Sequence, residues 1–427
     1  MSKEKQNEIV VQKFGGSSVG SLDKIRNVAR IIADAHDAGN KVVTVLSAMG
    51  DSTDDLLAMA NDLTENTASG RELDSLLVTG EMVSVSLMAL TLQNMGYKAV
   101  SLNGQQAGFR VEDLHNRARI LEIDTARVLN HLDNGEIVIV TGYQGINSKG
   151  DFATLGRGGS DTSAVALAGA LGATCCDIYT DVDGVYSTDP RIVPEAVKMQ
   201  SITYIEMLEL ARVGAQVLHP RAVETARQAD CRIRVRSTFK PEDTGTQVSE
   251  KHVFETNQAV SGIACDEHQA QVVVVDVPDQ PGIAAKIFST LAQHNISVDM
   301  IIQALKSEQN VNDIAFTVSK DDLPKALETL GEVKKTINAK AVVSDDTVSK
   351  VSIVGIGMID RPGVAADMFD ALAHAGINIR MISTSEIKIS CLIDDDKAKE
   401  AVRALHKQFF PNATTDAPVL VDQRVGY

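Results

Sequence analysis

Apolar residues recur along this chain in two rhythms. Short runs dense in Val and Ile, beginning with "IVV" (9–11) and continuing with "KVVTVLSA" (41–48), "YKAVSLN" (97–103), "EIVIVTGY" (136–143), "CCDIYTDV" (175–182) and "CRIRVRS" (231–237), have the length and β-branched content of buried strands. Between them lie longer stretches with helical spacing, such as "MVSVSLMALTLQNMG" (82–96) and "DTSAVALAGALGA" (161–173). Strands alternating with helices predict a mainly parallel sheet covered on both faces, an α/β sandwich built from residues 1–245. The polar, Pro- and Gly-containing stretch that follows predicts a linker, placed at 246–265.

Beyond the linker the pattern repeats. "VVVVDVPDQPGIAAKIFSTLAQHNISVDMI" aligns without a gap to "VSIVGIGMIDRPGVAADMFDALAHAGINIRMI", and Pro281/Pro362, Gly282/Gly363, Phe288/Phe369, Leu291/Leu372, Ile296/Ile377 and Met300/Met381 all stand 81 positions apart. Each copy reads strand, D-x-P-G turn, helix, strand, strand, helix, strand. That βαββαβ order predicts two small units in series, 266–346 and 347–427, each a sheet with helices on one face.

A chain of 427 residues fits two or three such domains. Its formal net charge of −16 argues against a nucleic-acid partner or an anionic membrane surface, so an anionic substrate needs a local positive site. No apolar stretch of membrane-spanning length is evident, and the start "MSKEKQNE" lacks the apolar core of a signal peptide. Cys175, Cys176, Cys231, Cys265 and Cys391 form no metal-binding spacing and read as reduced thiols of a cytoplasmic protein.

Three glycine-rich or acidic loops carry candidate chemistry. In "VVQKFGGSSVG", a strand ends at Lys13 and Phe14, then Gly15 and Gly16 precede a helix. Backbone N–H groups at a helix start, with a mobile lysine beside them, attract phosphate. It is not a Walker loop, since GxxxxGK[ST] is absent. "TLGRGGSDTSAVALA" repeats the design: Gly158, Gly159 and Ser160 lead into a helix with Asp161 in its first turn, and Arg157 offers a planar fork for a carboxylate. "IYTDVDGVYSTDPRI" follows another strand and supplies Asp181, Asp183, Asp189 and Arg191, which with two anion sites nearby suits a nucleotide with Mg²⁺. "SAMGDSTDDLL" (from Ser47) and "LLVTGEMVSVSLMA" (Glu81) place polar groups at the ends of apolar runs, where parallel sheets bind ligands.

"VQKFGGSS", "TGE", "TLGRGGSDTSAVALA", "TDVDGVYSTDPR" and the paired D-x-P-G units, in this order from about Val10 to Asp422, resemble the aspartokinase family. The resemblance implies an amino-acid kinase domain followed by two ACT domains. It implies transfer of the γ-phosphoryl of Mg-ATP to the β-carboxylate of L-aspartate, the first step of lysine, threonine and methionine biosynthesis. Lys13, Phe14, Gly15, Gly16, Ser47, Thr180, Asp181, Tyr186, Asp189, Pro190 and Arg191 would then surround ATP. Thr53, Glu81, Arg157, Gly158, Gly159 and Ser160 would hold aspartate, Glu81 facing its amino group and Arg157 its α-carboxylate, while Asp161 orients Lys13. Lys13, Arg157 and Asp161 would be the catalytic set, with no protein-held metal. The family's second phosphate cation, after "RIRVRS", falls at Phe239 or Lys240, and Arg191 is the other candidate. Lysine and/or threonine would act at Asp279, Gly282, Ala284, Ser297, Val298, Asp299 and Gln303, and in the second copy at Asn378, Ile379, Thr384, Ser385 and Glu386. A homodimer through the ACT domains is the expected assembly, with an α2β2 arrangement including a shorter ACT-only subunit behind it.

Three competing readings meet obstacles in the residues. Other amino-acid kinases share the first loop but do not usually carry two such C-terminal units. "VSIVGIGMID" resembles the start of a dinucleotide fingerprint, but Asp360 takes the place of the third glycine. A catalytically dead sensor is opposed by intact Lys13, Arg157 and Asp161.

Overall fold

The computed structural model describes residues 8–65, 67–215, 217–251, 258–306 and 311–412. The polar residues 1–7 and the last strand expected for the second repeat lie outside them. The first sheet has eight strands, in the order Ser201–Thr203, Thr246–Ser249, Arg232–Ser237, Cys175–Thr180, Ile9–Phe14, Lys41–Leu46, Ile137–Thr141 and Ala99–Leu102. From Arg232–Ser237 onward every neighbouring pair is parallel. Alternate residues serve opposite faces, the period-2 rule of a strand. Val11, Val43, Val45, Val138 and Val140 pack with helices Gly159–Ala170, Tyr204–Arg212 and Pro220–Gln228. Phe14, Val42, Leu46, Ile137 and Ile139 pack with Leu22–Asp37 and Thr79–Asn94 on the other side.

Two expectations need correction here. The run 70–94 is helical for nearly its whole length, and an 18-residue window within it has a mean hydropathy of 1.6, long and apolar enough to cross a membrane. Half of that window is buried in the fold, where Val85, Met88 and Leu92 fill the core, so its hydropathy is accounted for by packing. The expected linker 246–265 also contains strands among its described residues, Thr246–Ser249 and the start of Gly262–Pro278. Thr246–Ser249 pairs antiparallel with Arg232–Ser237, and the fully buried Thr246 hydroxyl accepts from Val185 N at 2.8 Å and donates to Met199 O at 2.6 Å. Its polar composition hid a strand that lies between Arg232–Ser237 and the more distant Ser201–Thr203.

A small second sheet, Ile120–Ile123, Phe109–Val111, Gln144–Ile146 and Phe152–Thr154, folds beside the carboxyl end of the first. The third sheet holds both repeats in one layer, in the order Ile301–Lys306, Val311–Ser319, Gly262–Pro278, Ala341–Val354, Lys388–Asp394 and Met381–Thr384, all antiparallel. The repeat is visible in the backbone: Gly282 at φ +95° precedes helix Ile283–Gln293, and Gly363 at φ +104° precedes Val364–His374. The units follow one another along the chain but are not self-contained in space. Gly262–Pro278 and Ala341–Val354 are long enough to run through both. Residues Gly262–Asp266 pair with Lys350–Val354 and so complete the second unit with chain that precedes the first. Gly355, in the "GIG" run, packs against the backbone entering this strand. A Cβ there would meet Ala259 O at 2.4 Å, which accounts for the glycine without a dinucleotide.

Candidate active site

Four adjacent parallel strands, Cys175–Thr180, Ile9–Phe14, Lys41–Leu46 and Ile137–Thr141, end side by side. The turns that follow them carry Asp181, Gly15 and Gly16, Ser47, and Gly142 and Tyr143, so the expected loops converge on the carboxyl edge of the sheet centre.

Lys13 is nearly buried, and its Nζ lies 2.5 Å from Asp161 Oδ1. Asp161 stands in the first turn of Gly159–Ala170, where the helix dipole favours a carboxylate. The pair thus joins the first glycine turn to the second. The two glycines beside Lys13 differ in purpose. A Cβ on Gly16 would come within 2.9 Å of Gly50 O and 3.0 Å of Ala48 O, so Gly16 allows the turn to nest on residues 48–50. At Gly15 the nearest atom would be Lys13 Nζ at 3.3 Å, leaving this backbone free to approach a ligand beside the ammonium. The helix after Gly15 is a single turn, Gly16–Val19, so Lys13 and exposed N–H groups supply more of the positive potential than a dipole does.

Glu81 sits in the first turn of Thr79–Asn94, not at a strand end as the apolar run suggested. It is 3% exposed; Oε1 accepts from Ala48 N at 3.3 Å, and Oε2 has no partner among the described residues. Burial pushes its carboxyl up to about 7, against two backbone hydrogen bonds that oppose the shift. A buried, orphaned carboxylate oxygen is a receptor for a cation. Thr53 is on the same side: a Cβ on Gly80 would touch Ala48 Cβ at 2.9 Å and Thr53 Oγ1 at 4.0 Å.

Arg157 is exposed on the turn leading to Gly158, which takes φ +66°. Ser160 lies against the sheet end, where a Cβ on Gly142 would clash with its Oγ at 2.6 Å. Several residues that hold this turn were invisible to sequence reasoning. Asp74, fully buried, accepts from Thr154 Oγ1 at 2.6 Å, Asn116 Nδ2 at 2.8 Å and Asn116 N, and pairs with His115 Nδ1 at 2.7 Å. It thereby ties helix Gly70–Leu77 and the His115–Asn116 turn to Phe152–Thr154, the strand of the small sheet that delivers Arg157. Tyr143 adopts φ +69°, a strained conformation for a tyrosine, and its ring lies where a Cβ on Gly159 would meet Cδ2 at 2.8 Å. His219 packs directly on Gly158; burial lowers its imidazole below the usual range, against the nearby charge of Asp161. The only hint of Tyr143 in the sequence was its glycine-flanked setting, "TGYQG".

On the opposite wall Thr180 Oγ1 donates to Asp181 Oδ1 at 2.8 Å, and Tyr186 OH donates to Asp183 Oδ1 at 2.6 Å. Burial, then that carboxylate, holds the Tyr186 phenol well above its usual range. Asp189, Pro190 and Arg191 form the following turn, with Arg191 forked onto Asp189 at 2.8 to 3.0 Å. Lys240 reaches this wall, its Nζ 3.4 Å from Asp183 Oδ2. Phe14 stacks on Tyr179 at 4.5 Å beneath, and Ser18 is hydrogen-bonded to Thr238 at 2.7 Å. Burial pushes the thiols of Cys175, Cys265 and Cys391 up to about 12 and that of Cys231 to about 11, so none of these four is a nucleophile at neutral pH.

In the third sheet, Asp279, Gly282, Ala284 and Gln303 line a cavity of about 340 Å³ with Val277, Asn312 and Ile314. Asn312 is 3% exposed and its Nδ2 has no partner among the described residues, an unpaired donor on a residue of the cavity lining. Ser297, Val298 and Asp299 are not in that lining; Asp299 is bound to Lys350 Nζ at 2.5 Å across the two units. Thr384 ends the strand at the opposite edge of the sheet, with Ser385 and Glu386 exposed after it, and Asn378 is exposed beside Ile379. Within one chain Gln303 and Thr384 therefore lie on opposite edge strands of the sheet.

The chain matches the model of the amino acid kinase family over residues 8–237 and models of the ACT domain over 271–336 and 351–409. The aspartokinase of Bacillus sp. (strain MGA3) is 47% identical over 401 residues, which cover 94% of this chain and 97% of that relative. That of Corynebacterium glutamicum is 46% identical over 405 residues, 94% and 96% of the two chains. Among solved structures, E. coli aspartokinase III in complex with aspartate and ADP (R-state) superposes with a TM-score of 0.80 at 29% identity, covering 94% of this chain and all of that one. The same protein in complex with lysine and aspartate (T-state) gives 0.73 at 30% identity, covering 94% and 99%.

Proposed function

The chain belongs to the aspartokinase family, and on that premise we propose how its residues divide the transfer of the γ-phosphoryl group of Mg-ATP to the β-carboxylate of L-aspartate. A β-carboxylate oxygen attacks the γ-phosphorus; the bond from phosphorus to the bridging oxygen breaks, and ADP leaves with the electron pair. The product is 4-phospho-L-aspartate. A carboxylate is already a nucleophile at pH 7, so no general base is needed, and catalysis consists of aligning two anions and neutralising the charge that moves to the leaving oxygen. Mg²⁺ enters and leaves with the nucleotide as part of the substrate.

Lys13, with the N–H groups of Gly15 and Gly16, takes the phosphates, and Asp161 holds the ammonium in line between the two glycine turns. Ser47 adds a polar contact near the phosphates. Phe14, Thr180, Asp181, Tyr186, Asp189, Pro190 and Arg191 form the nucleotide wall. Lys240 is the better candidate than Arg191 for the second phosphate cation, because its contact with Asp183 is a single one of 3.4 Å, whereas Arg191 is forked onto Asp189 at 2.8 to 3.0 Å. Arg157, Gly158, Gly159 and Ser160 take the α-carboxylate of aspartate, Glu81 its amino group, and Thr53 its flank. The observation that supports this reading is the Lys13–Asp161 contact of 2.5 Å, which holds one cation between the two glycine turns. Lys13→Ala should lower kcat by about 10² to 10⁴ with the fold intact, measured as ADP release that depends on aspartate. A near-normal kcat with a normal circular dichroism spectrum would remove Lys13 from the mechanism.

Regulation fits the same frame. Lysine and/or threonine would bind the cavity at Asp279, Gly282, Ala284 and Gln303, with the ammonium on Asp279 and the orphaned Asn312 amide on the carboxylate. Ile301–Lys306 and Met381–Thr384 are the two edge strands of the third sheet, the kind of edge that a second copy covers. A homodimer through these edges would bring the first-copy residues of one chain toward the second-copy residues of its partner. An α2β2 assembly with a shorter ACT-only subunit would use the same edges. The setting is cytoplasmic amino-acid biosynthesis.

A further inference from the structure

The turn after Tyr186 is held by the regulatory sheet. Ser187 is fully buried, and its hydroxyl is 3.0 Å from Nε2 of His406, 219 positions away on helix Ala398–Phe409. The same hydroxyl accepts from Val197 N at 2.8 Å, so its own proton is free to point at the imidazole. The backbone is tied as firmly: Ser187 N donates to Val197 O at 2.8 Å, and Ser187 O accepts from Ile263 N at 2.7 Å, on the long strand shared by both ACT units. Arg403, on the same helix as His406, donates from Nε to Ile192 O at 3.2 Å. Val193 is buried in the apolar cluster of the second unit with Ile263, Leu405 and Phe410. His406 is 3% exposed and stacks on Phe410 at 4.9 Å, and burial keeps its ring in the neutral form that accepts from a hydroxyl, against the charge of Glu195.

A kinase loop that served the nucleotide alone would not need a histidine from the last regulatory helix in its core. We propose that His406 is a positioning residue for ATP: through Ser187 it sets the path of Tyr186 to Arg191, so that the last helix of the second ACT unit acts on nucleotide affinity rather than on aspartate affinity. This rests on the reading of Thr180 to Arg191 as the nucleotide wall. The geometry favours ATP over aspartate because Ser187 follows the Tyr186 turn directly, whereas the aspartate side hangs on Thr154 to Ser160 and its Asp74 network, which the His406 helix does not touch through any hydrogen bond among the described residues.

The test compares full-length His406→Leu, His406→Gln and Ser187→Ala with Asp181→Ala as a probe of the wall itself. The readouts are KM for ATP and for aspartate, ADP affinity by calorimetry, and Tm. His406→Leu and Ser187→Ala should each raise KM for ATP and weaken ADP about tenfold, the loss of one buried hydrogen bond, with KM for aspartate unmoved. His406→Gln, which returns a polar group at the position of Nε2, should restore ATP affinity. Should His406→Leu fail to fold, Ser187→Ala carries the same comparison. If both leave ATP kinetics unchanged while Asp181→Ala raises KM for ATP, the coupling is wrong and the wall stands. If Asp181→Ala is also silent, the nucleotide wall fails and takes the proposal with it. Equal rises in both KM values, or no rescue by glutamine, would reduce His406 to packing and overturn its role.

Discussion

Replacing Glu81 by glutamine separates charge from shape at the substrate end of the site. The carboxyl is buried, one oxygen has no partner among the described residues, and burial raises it from an ordinary value of 4.5 to about 7. A group that holds its proton more tightly in the fold than in the unfolded chain costs stability as it ionises. The fold is favoured below pH 4.5, and that advantage fades as pH rises to about 7. The displacement corresponds to about 3 kcal/mol by linkage, present as a penalty above pH 7 when no substrate cation is bound. Glu81→Gln should therefore raise the Tm of the ligand-free protein at pH 8 and leave it nearly unchanged at pH 5. Activity should move the other way. With the parent, kcat/KM for aspartate should fall about tenfold per pH unit below pH 7, because only the carboxylate receives the ammonium. In the variant that acidic limb should vanish, and kcat/KM at pH 8 should be lower by about a hundredfold, the loss of a charged hydrogen bond. Thermal melts at the two pH values and initial rates against aspartate across pH 5.5 to 8.5, about three units, check both halves. An unchanged KM for aspartate, or a limb that persists in Glu81→Gln, would refute the assignment; a persistent limb belongs to another group, such as the nucleotide.

Arg157→Ala should raise KM for aspartate about a hundredfold with Tm unaltered, since the side chain is exposed, and Arg157→Lys should recover only part because a point charge does not reproduce the fork. Gly158→Ala must move backbone, given φ +66° and a Cβ that would lie 2.1 Å from His219 Cγ; Tm and kcat should fall together, by about 2 to 4 kcal/mol in stability on a denaturant titration. Gln303→Ala should raise the concentration of lysine or threonine needed for half inhibition about tenfold, scored against the variant's own uninhibited rate.

Much of the catalytic fold could be read from the chain because its strands are buried on both faces and announce themselves by composition alone. Lys41–Leu46, Ile137–Thr141, Cys175–Thr180 and Arg232–Ser237 all lie inside the ranges expected from Val and Ile density. Thr246–Ser249 escaped because its stability comes from two neighbouring strands rather than from its own residues. The small sheet beside the site escaped for a similar reason: its strands are three or four residues long and mean little without one another. At the site, the glycine turns and Lys13 were legible because they are contiguous. Asp74, Tyr143, His219 and Lys240 were obscure or undervalued, since each acquires meaning from a partner remote in sequence.

What the sequence determined by itself is local or periodic: which runs are strands, where a turn needs a glycine at positive φ, and that two units recur at a spacing of 81. These follow from sterics and side-chain alternation within a few residues, and Gly282 and Gly363 express them in the same left-handed backbone. The tertiary structure alone decided the rest. Lys13 meets Asp161 because two turns are brought to one sheet edge, and Glu81 rises to about 7 because remote segments exclude water from it. The two ACT units share one sheet because Gly262–Pro278 is long enough to serve both, and that sharing puts His406 against Ser187. Burial and long-range pairing are properties of the assembled chain, and no window of residues contains them.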